Sequence, residues 1–223
     1  MNILSWTAKP SLAGYWKREW CEVIDRLPPD VKIVGRVRGY DLASSPEPDA
    51  MATNKNPDYT AGVLLCRDSL GTYYVEHVKR YRKRSGEVIQ DIIDTAFSDG
   101  LDVPVVVPRD SGAGGVAYYQ YIVRVLSEHG ITTRMDKMSG HAGKLQRFLP
   151  FASMCEAGNV KIIRGDWNEE FFQELETFEP NKRTSKKDDQ CDTVATAFNA
   201  IAKTMHMPSF SLPDLSRSSA MPF

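Results

Sequence analysis

The chain has 223 residues, of which 42% are hydrophobic and 26% charged, and its formal net charge is −1. This length and composition are ordinary for one globular α/β domain. The chain is long enough and apolar enough to bury a hydrophobic core, which excludes a wholly disordered protein. No apolar run is long enough to cross a bilayer, and the N-terminus lacks the pattern of a signal peptide, so no membrane partner is predicted. The near-neutral charge neither supports nor excludes a nucleic-acid partner, because acidic residues at one site would mask basic residues elsewhere.

Cysteine usage limits the chemistry further. The four cysteines are scattered and never show the C-x-x-C spacing; they are Cys21, Cys66, Cys155 and Cys191. This argues against a structural zinc site and a disulfide framework, and favours a reducing cytoplasm.

The first third of the chain predicts a lead-in followed by an antiparallel meander. Residues 1–32 have weak periodicity, and we predict a short helix near Leu12–Leu27 in a lead-in segment whose upstream part is missing. Residues 44–57 are rich in Ser, Pro and Asn and predict a loop. The β-prone runs predict three consecutive strands over Lys32–Leu42, Thr60–Arg67 and Thr72–Tyr81.

Helices and short apolar strands alternate after the meander. A helix with Ser85 as N-cap ends at Gly100, and the wholly apolar run Val103–Val107 predicts a parallel strand buried on both faces. Further strands are predicted over Ile131–Met135 and Val160–Arg164. Further helices are predicted over Val116–His129, Leu145–Ala157, Trp167–Phe178 and Asp188–Met205. The order predicts one α/β domain over 33–205, with a mixed β-sheet (an antiparallel meander plus parallel strands) flanked by helices, and a flexible tail over 206–223.

Carboxylates fall where such a sheet would form a site. Asp41 ends the first strand and Asp110 follows the buried strand, and ligands bind at the carboxyl ends of parallel strands. If these strands are neighbours, the two residues lie within about 5–10 Å. Asp188, Asp189 and Asp192 open the last helix, where spacings of three and four put Asp192 on one face with the others, and we expect Asp192 to point inward.

These acids have two interpretations. Hard oxygen ligands without Cys or His favour Mg²⁺ or Mn²⁺, and this density of carboxylates suits a two-metal phosphodiesterase. Each acid taken alone also fits an ordinary structural role. Asp188 or Asp189 would serve as an N-cap, and Asp41 or Asp110 as a turn residue.

Three segments, taken together, resemble the nuclease domain of the large terminase subunit of tailed bacteriophages. The first acidic motif is matched by Arg38–Ser45 with Asp58–Gly62, the second by Val106–Gly114, and the closing acidic motif by Lys186–Ala195. Between them, Lys144–Ala152, Gly158–Ile162 and Trp167 are also similar to this family. The resemblance covers Gly35–Ala202, and the order and spacing of the motifs make it specific.

The resemblance implies an RNase H-like fold and a metal-dependent endonuclease that cuts concatemeric viral DNA during genome packaging. It implies two Mg²⁺ or Mn²⁺ ions held by Asp41, Asp110 and Asp192, with Asp189 close by and Asp188 as a further candidate. The implied partners are double-stranded DNA, the packaging ATPase domain of the same protein, the small terminase subunit and the portal, in the host cell cytoplasm.

Two departures from the family pattern are visible. The sequence has no G-x-x-x-x-G-K-[ST] motif, so we expect no ATP hydrolysis by this chain. Ser111 stands between Asp110 and Gly112, where the family pattern leads us to expect proline, and we expect little effect on metal binding.

Basic residues that could hold DNA phosphates form three groups. They are Arg82, Lys83 and Arg84 after the third strand, Lys144 and Arg147 at the start of a helix, and Lys186 and Lys187 before the last helix. Such contacts would be independent of base sequence, although each group alone also fits a solvated charged surface. Two other functions are weighed: another RNase H-like nuclease such as a Holliday-junction resolvase, and a non-catalytic docking module of the packaging motor.

Overall fold

The computed structural model describes residues 14–43, 58–109, 112–136, 143–179 and 187–204. The strands of these ranges are β1 Glu22–Ile24, β2 Ile33–Asp41, β3 Thr60–Asp68, β4 Tyr73–Tyr81, β5 Val105–Val107, β6 Thr133–Met135 and β7 Val160–Ile163. The α-helices are α1 Ser85–Asp99, α2 Ala113–Glu128, α3 Lys144–Glu156, α4 Asn168–Glu176 and α5 Asp189–Thr204, and Arg18–Trp20 forms a 3₁₀ turn.

The strands form one seven-stranded sheet in the order β1-β7-β4-β3-β2-β5-β6. Strands β2, β3 and β4 pair antiparallel as consecutive neighbours. All other neighbouring pairs are parallel, including β2 with β5. The predicted mixed sheet, with an antiparallel meander and added parallel strands, is therefore confirmed.

Helices cover both faces of the sheet. On one face α3, α4 and α5 pack over the central strands, and on the other α1 and α2 pack over β2 and β5. Strand β5 shows why its sequence is wholly apolar, because Val106 faces the first core while Val105 and Val107 face the second. Its predicted burial on both faces is confirmed.

Helix α5 is the most enclosed helix among the described elements. Residues 189–199 are all buried, because α5 lies between the sheet and the helices α3 and α4. Polar residues on such a helix have little access to water and therefore need partners inside the protein. Within the described ranges, none of the helices is long and apolar enough to span a bilayer.

The helix predicted near Leu12–Leu27 is wrong over its described part. The chain there forms the 3₁₀ turn and then β1, which pairs in parallel with β7. Trp16 is only 1% exposed and stacks on Phe172 of α4, with ring centroids 5.7 Å apart. A three-residue strand carries too little periodicity to be recognised, so the contact with distant residues decides its conformation.

The start of α1 also differs in detail. Arg84 rather than Ser85 is the N-cap, and the Glu87 carboxylate accepts the Arg84 backbone N–H at 3.0 Å. The remaining predicted helices and strands agree with the structure to within a few residues at their ends, as is usual for such termini. The predicted loop 44–57 and tail 206–223 lie outside the described residues.

Candidate functional site

Asp41 is the last residue of β2 and lies at the carboxyl end of the sheet's parallel pair. Strand β5 runs beside β2, with Gly39 paired to Val106. The neighbouring strands assumed for Asp41 and Asp110 are therefore present. Asp110 itself follows β5 by three residues and lies outside the described residues, as does Ser111.

A close approach between α5 and β2 brings the acidic helix to Asp41. A Cβ atom added at Gly39 would lie 2.9 Å from the Ala197 Cβ and 2.9 Å from its backbone nitrogen. Glycine at this strand position therefore lets the helix backbone settle directly on the sheet. One turn earlier, the Thr193 hydroxyl donates to the Asp189 carbonyl at 2.6 Å, and its oxygen lies 3.4 Å from the carbonyl oxygen of Ala61, the residue that pairs with Asp41. The start of α5 is thereby fixed over the end of β2.

Asp189, at the start of α5, is buried with one oxygen unsatisfied. The residue is 4% exposed, and its Oδ2 has no hydrogen-bond partner among the described residues. Burial, together with the negative charges of Glu174 and Asp58, raises the pKa of Asp189 to about 7, against the opposing charges of Lys187 and Arg80. A buried carboxylate oxygen without a donor is costly unless a cation or proton is supplied.

Asp41 shares this crowded negative environment. It is half-buried, and burial together with the charges of Asp192 and Asp189 raises the pKa of Asp41 to about 8. The positive charges of Lys144 and Arg147 oppose the shift. The structure therefore brings Asp41, Asp189 and Asp192 into one electrostatic cluster, although they lie far apart along the chain.

Asp192 points inward, as predicted, and is 8% exposed. Arg147 donates from Nη2 to Asp192 Oδ1 at 2.5 Å, and Lys144 Nζ lies 2.9 Å from Oδ2. Lys144 also donates to Asp188 Oδ2 at 2.5 Å. Two basic residues predicted to contact DNA thus lie directly on the acids, and Asp188 lies on the Lys144 side rather than beside the buried oxygen of Asp189.

Asp136 is a buried acid of this region that sequence reasoning missed. It follows β6 and is 7% exposed, and its Oδ2 accepts a hydrogen bond from Thr196 of α5 at 3.2 Å. The same oxygen lies 3.8 Å from Arg147 Nη1, so Arg147 lies between Asp136 and Asp192. A signal was present, because Asp136 directly follows the predicted strand Ile131–Met135, and an acid after a parallel strand is the pattern that singled out Asp110.

Glu174 of α4 is a second residue that sequence reasoning missed. Its carboxylate accepts the Gln190 backbone N–H at 2.5 Å and the Gln190 side-chain amide at 2.7 Å. An acid at the first turn of a helix satisfies a free backbone donor and favours the helix dipole. Glu174 therefore anchors the start of α5, which carries Asp189. No local pattern in the sequence marks it.

The basic residues at the end of β4 and just after it lie on different sides of the sheet. Arg80 and Arg82 lie on the α5 side, where each guanidinium stacks on Tyr59 at 3.8 Å from the ring centroid. Lys83 points toward α1, where it donates to Asp91 Oδ1 at 2.7 Å. Arg84 is exposed at the start of α1. Of this predicted group, only Arg82 lies on the side of the acids.

Lys187 also lies beside the acids. Its Nζ donates to Asp58 Oδ1 at 2.7 Å, and its positive charge acts on Asp189. Lys186 lies outside the described residues. Cations thus flank the acids on two sides, from α3 and from the region of β4 and Lys187.

Oxygen donors dominate this arrangement, which is the chemistry that Mg²⁺ and Mn²⁺ prefer. The partnerless oxygen of Asp189 and the mutual repulsion of Asp41, Asp189 and Asp192 fit a bound cation. Within the described residues, no three Asp, Glu, His or Cys side chains are grouped closely enough to hold a metal ion. Both oxygens of Asp192 are paired with Lys144 and Arg147, and Asp110 lies outside the described residues. Asp41, Asp189 and Asp192 therefore supply only part of a metal site.

Comparison with solved structures identifies the fold. The large terminase nuclease of the thermophilic phage G20c with bound magnesium is 15% identical, with a TM-score of 0.58, covering 85% of this chain and 98% of that one. Structures of the G20c nuclease also contain zinc and cobalt. The phage P22 large terminase nuclease domain is 14% identical, with a TM-score of 0.58 and coverages of 82% and 89%. The nuclease domain of Thermus phage P74-26 is 14% identical, with a TM-score of 0.53 and coverages of 81% and 90%.

The predicted RNase H-like fold is confirmed by these likenesses, which at such low identity show the fold alone. Among curated proteins, no match was found. Residues 38–203 match the family model of the terminase RNaseH-like domain. That match spans most of the chain and includes Asp41 and the acids of α5, so the chain belongs to the terminase RNaseH-like domain family.

Proposed function

We propose that this chain is a divalent-metal-dependent endonuclease that cuts double-stranded DNA. The observation that carries the proposal is that the charges of Asp189 and Asp192 act on Asp41, while an Asp189 oxygen has no partner among the described residues. Negative charges that act on one another in this way are unfavourable by themselves, and a divalent cation would offset their repulsion. Clusters with this physical character are more typical of functional sites than of structural ones.

The proposed ligands are Asp41, Asp189 and Asp192, with Asp110 joining them from the end of β5 and Asp188 as a more distant candidate. Mg²⁺ or Mn²⁺ suits these donors, and the magnesium, zinc and cobalt in the G20c nuclease structures support divalent-ion binding at this fold. When bound, a pair of ions would supply a hydroxide nucleophile and stabilise the leaving oxygen of the phosphodiester.

The protein's own cations would share this work. Lys144 and Arg147 hold both oxygens of Asp192 in a defined orientation, and Asn199 in turn donates to the Arg147 carbonyl at 3.0 Å. Their positive charges also favour entry of a negatively charged phosphate toward the acids. Because α3 and α5 are both packed into the core, the acids and these cations are positioned before substrate binds.

Family membership supports a role in genome packaging. We propose that the substrate is concatemeric viral DNA, which is cut as packaging begins and ends. The proposed partners are the packaging ATPase domain, the small terminase subunit and the portal, in the host cell cytoplasm. The family match, rather than any contact in the described residues, is the support for these partners.

Nicking of supercoiled plasmid in Mg²⁺ or Mn²⁺ tests the activity. Asp41→Asn and Asp189→Asn should each lower the rate by more than about 100-fold, the upper end of the loss when a residue only orients a ligand. The matched control is Asp94→Asn, because Asp94 is exposed on α1, where it accepts a hydrogen bond from the Gln90 side chain of the same helix at 2.8 Å. Wild-type rates for Asp41→Asn, or equal losses in all three variants, would contradict the proposal.

A further inference from the structure

A tyrosine is held between two arginines beside the acid cluster. The Arg80 and Arg82 guanidinium carbons each lie 3.8 Å from the centroid of the Tyr59 ring. At this distance the positive charge sits on the face of the ring, where the aromatic quadrupole attracts it. Among the described cation–aromatic contacts these two are the shortest, since the others range from 4.7 to 5.9 Å.

The strand register explains how the three side chains meet. Thr60 pairs with Tyr81, and Tyr59 and Arg82 are the next residues beyond this last pair of the β3–β4 ladder. Arg80 lies on β4 and Arg82 follows the end of that strand by one residue, and both guanidinium groups contact the Tyr59 ring. Two guanidinium groups consequently share the Tyr59 ring.

This stack borders the proposed nuclease site. Arg80 Nε lies 3.7 Å from Glu174 Oε2, and Glu174 anchors the start of α5. The charge of Arg80 acts on Asp189, and Lys187 adds a further cation next to Asp58, the neighbour of Tyr59. A basic surface of Arg80, Arg82 and Lys187 therefore lies along one side of the acids.

We propose that Arg80, Tyr59 and Arg82 form a preorganised surface that binds the phosphate backbone of duplex DNA next to the acid cluster. The inference rests on the proposed nuclease function and identifies how its substrate is held. Arginine presents a planar set of donors that matches phosphate oxygens, and stacking on the ring limits the freedom each side chain would lose on binding. Because two guanidinium groups already lie on the ring, Tyr59 orients the arginines and does not stack on bases, so the contact is independent of base sequence.

Fluorescence anisotropy of a labelled DNA duplex, with chelator and no added metal, tests this surface without cleavage. Each lost phosphate contact flattens the plot of log affinity against log salt by about 0.9. Arg82→Gln should therefore lower affinity about eightfold at 0.1 M salt. The control is Arg124→Gln, an exposed α2 arginine 5.8 Å from the Tyr121 ring, which should leave both affinity and slope unchanged.

Variants of Tyr59 distinguish the orienting effect of its ring from the positive charge of the two arginines. Tyr59→Leu retains both arginines, so the salt slope should stay the same while affinity falls roughly fivefold through lost preorganisation. Tyr59→Phe keeps the ring and should bind as wild type does. Thermal unfolding of each variant verifies that the fold is retained.

The outcomes are distinct for the two proposals. Equal binding by wild type and folded Arg82→Gln, or an equal loss in Arg124→Gln, would overturn the phosphate surface. A Tyr59→Leu defect confined to single-stranded DNA would also overturn it, because the ring would then be stacking on bases. Salt-sensitive binding that depends on Arg82, in a protein that never nicks plasmid, would support the surface and reject the nuclease function.

Discussion

Replacing Asp41 by asparagine should stabilise the metal-free protein at alkaline pH, although it removes a proposed ligand. Asp41 is half-buried beside Asp189 and Asp192, and burial and their charges raise its pKa to about 8. Asparagine has nearly the same shape but carries no charge. The variant therefore removes the repulsion and leaves the packing in place.

The sign and size follow from proton linkage. The unfolded pKa of an aspartate is about 3.9. The folded chain therefore keeps the Asp41 proton to a higher pH than the unfolded chain does. The contribution of this proton to the free energy of unfolding is fully present below about pH 4 and is lost as pH rises to about 8. One pKa unit corresponds to about 1.4 kcal/mol. Because Asp41 shares the cluster with Asp189 and is partly solvated, we expect the advantage of Asp41→Asn to grow by about 1–3 kcal/mol between pH 5 and pH 8.

Urea unfolding with chelator at pH 5, 6.5 and 8 measures the effect. Asp94→Asn is the control for the loss of an exposed carboxylate and should track the wild type at every pH. Adding Mg²⁺ at pH 8 should stabilise the wild type and have little effect on Asp41→Asn, because an ion that binds only the folded chain stabilises it. A pH-independent difference, or an Asp41→Asn variant less stable than wild type at pH 8, would refute this account of the cluster.

Two further predictions concern the parts that place the acids. Gly39→Val should destabilise the fold by about 1–3 kcal/mol in thermal or urea unfolding and reduce plasmid nicking, because its side chain would push against Ala197; the control is Gly86→Ala at the exposed start of α1, which should leave nicking unchanged and keep or raise stability by up to about 1 kcal/mol. Asp136→Asn should retain the fold but reduce nicking or raise the Mn²⁺ concentration needed by about 10–100-fold, because Arg147 loses one of its two carboxylates; wild-type nicking across a Mn²⁺ titration would show that Asp136 has no part in orienting the acids.

Most of the fold could be predicted because its elements carry strong local patterns. The run Val105–Val107 is apolar on both faces, and α1 has a clear amphipathic period with a glycine after its end. β1 could not be predicted, because a three-residue strand depends on β7, which lies more than a hundred residues away. Trp16 likewise is buried only because α4 provides Phe172.

Some residues of the candidate site could be predicted from the sequence and others could not. Asp41 and the acids of α5 stand next to recognisable elements, so their positions could be predicted. Asp136 and Glu174 become part of the site only through contacts with Thr196 and Gln190, which no spacing in the sequence indicates.

The contacts of the charged residues were the hardest feature to predict from the sequence. Arg82 and Lys83 are adjacent and both positively charged, yet Arg82 lies on the Tyr59 ring and Lys83 donates to Asp91. Lys144 and Arg147 were predicted to contact DNA, and in the structure both form ion pairs with Asp192 of α5.

By itself, the sequence determined the order of strands and helices, the presence of acids beside them and the family motifs, because these depend on residues close together along the chain. Only the tertiary structure decided which acids share one electrostatic environment and which cations face them. The physical reason is that charges interact through space, and the separation between Asp41 and α5 is set by the packing of the helix on Gly39 rather than by distance along the chain.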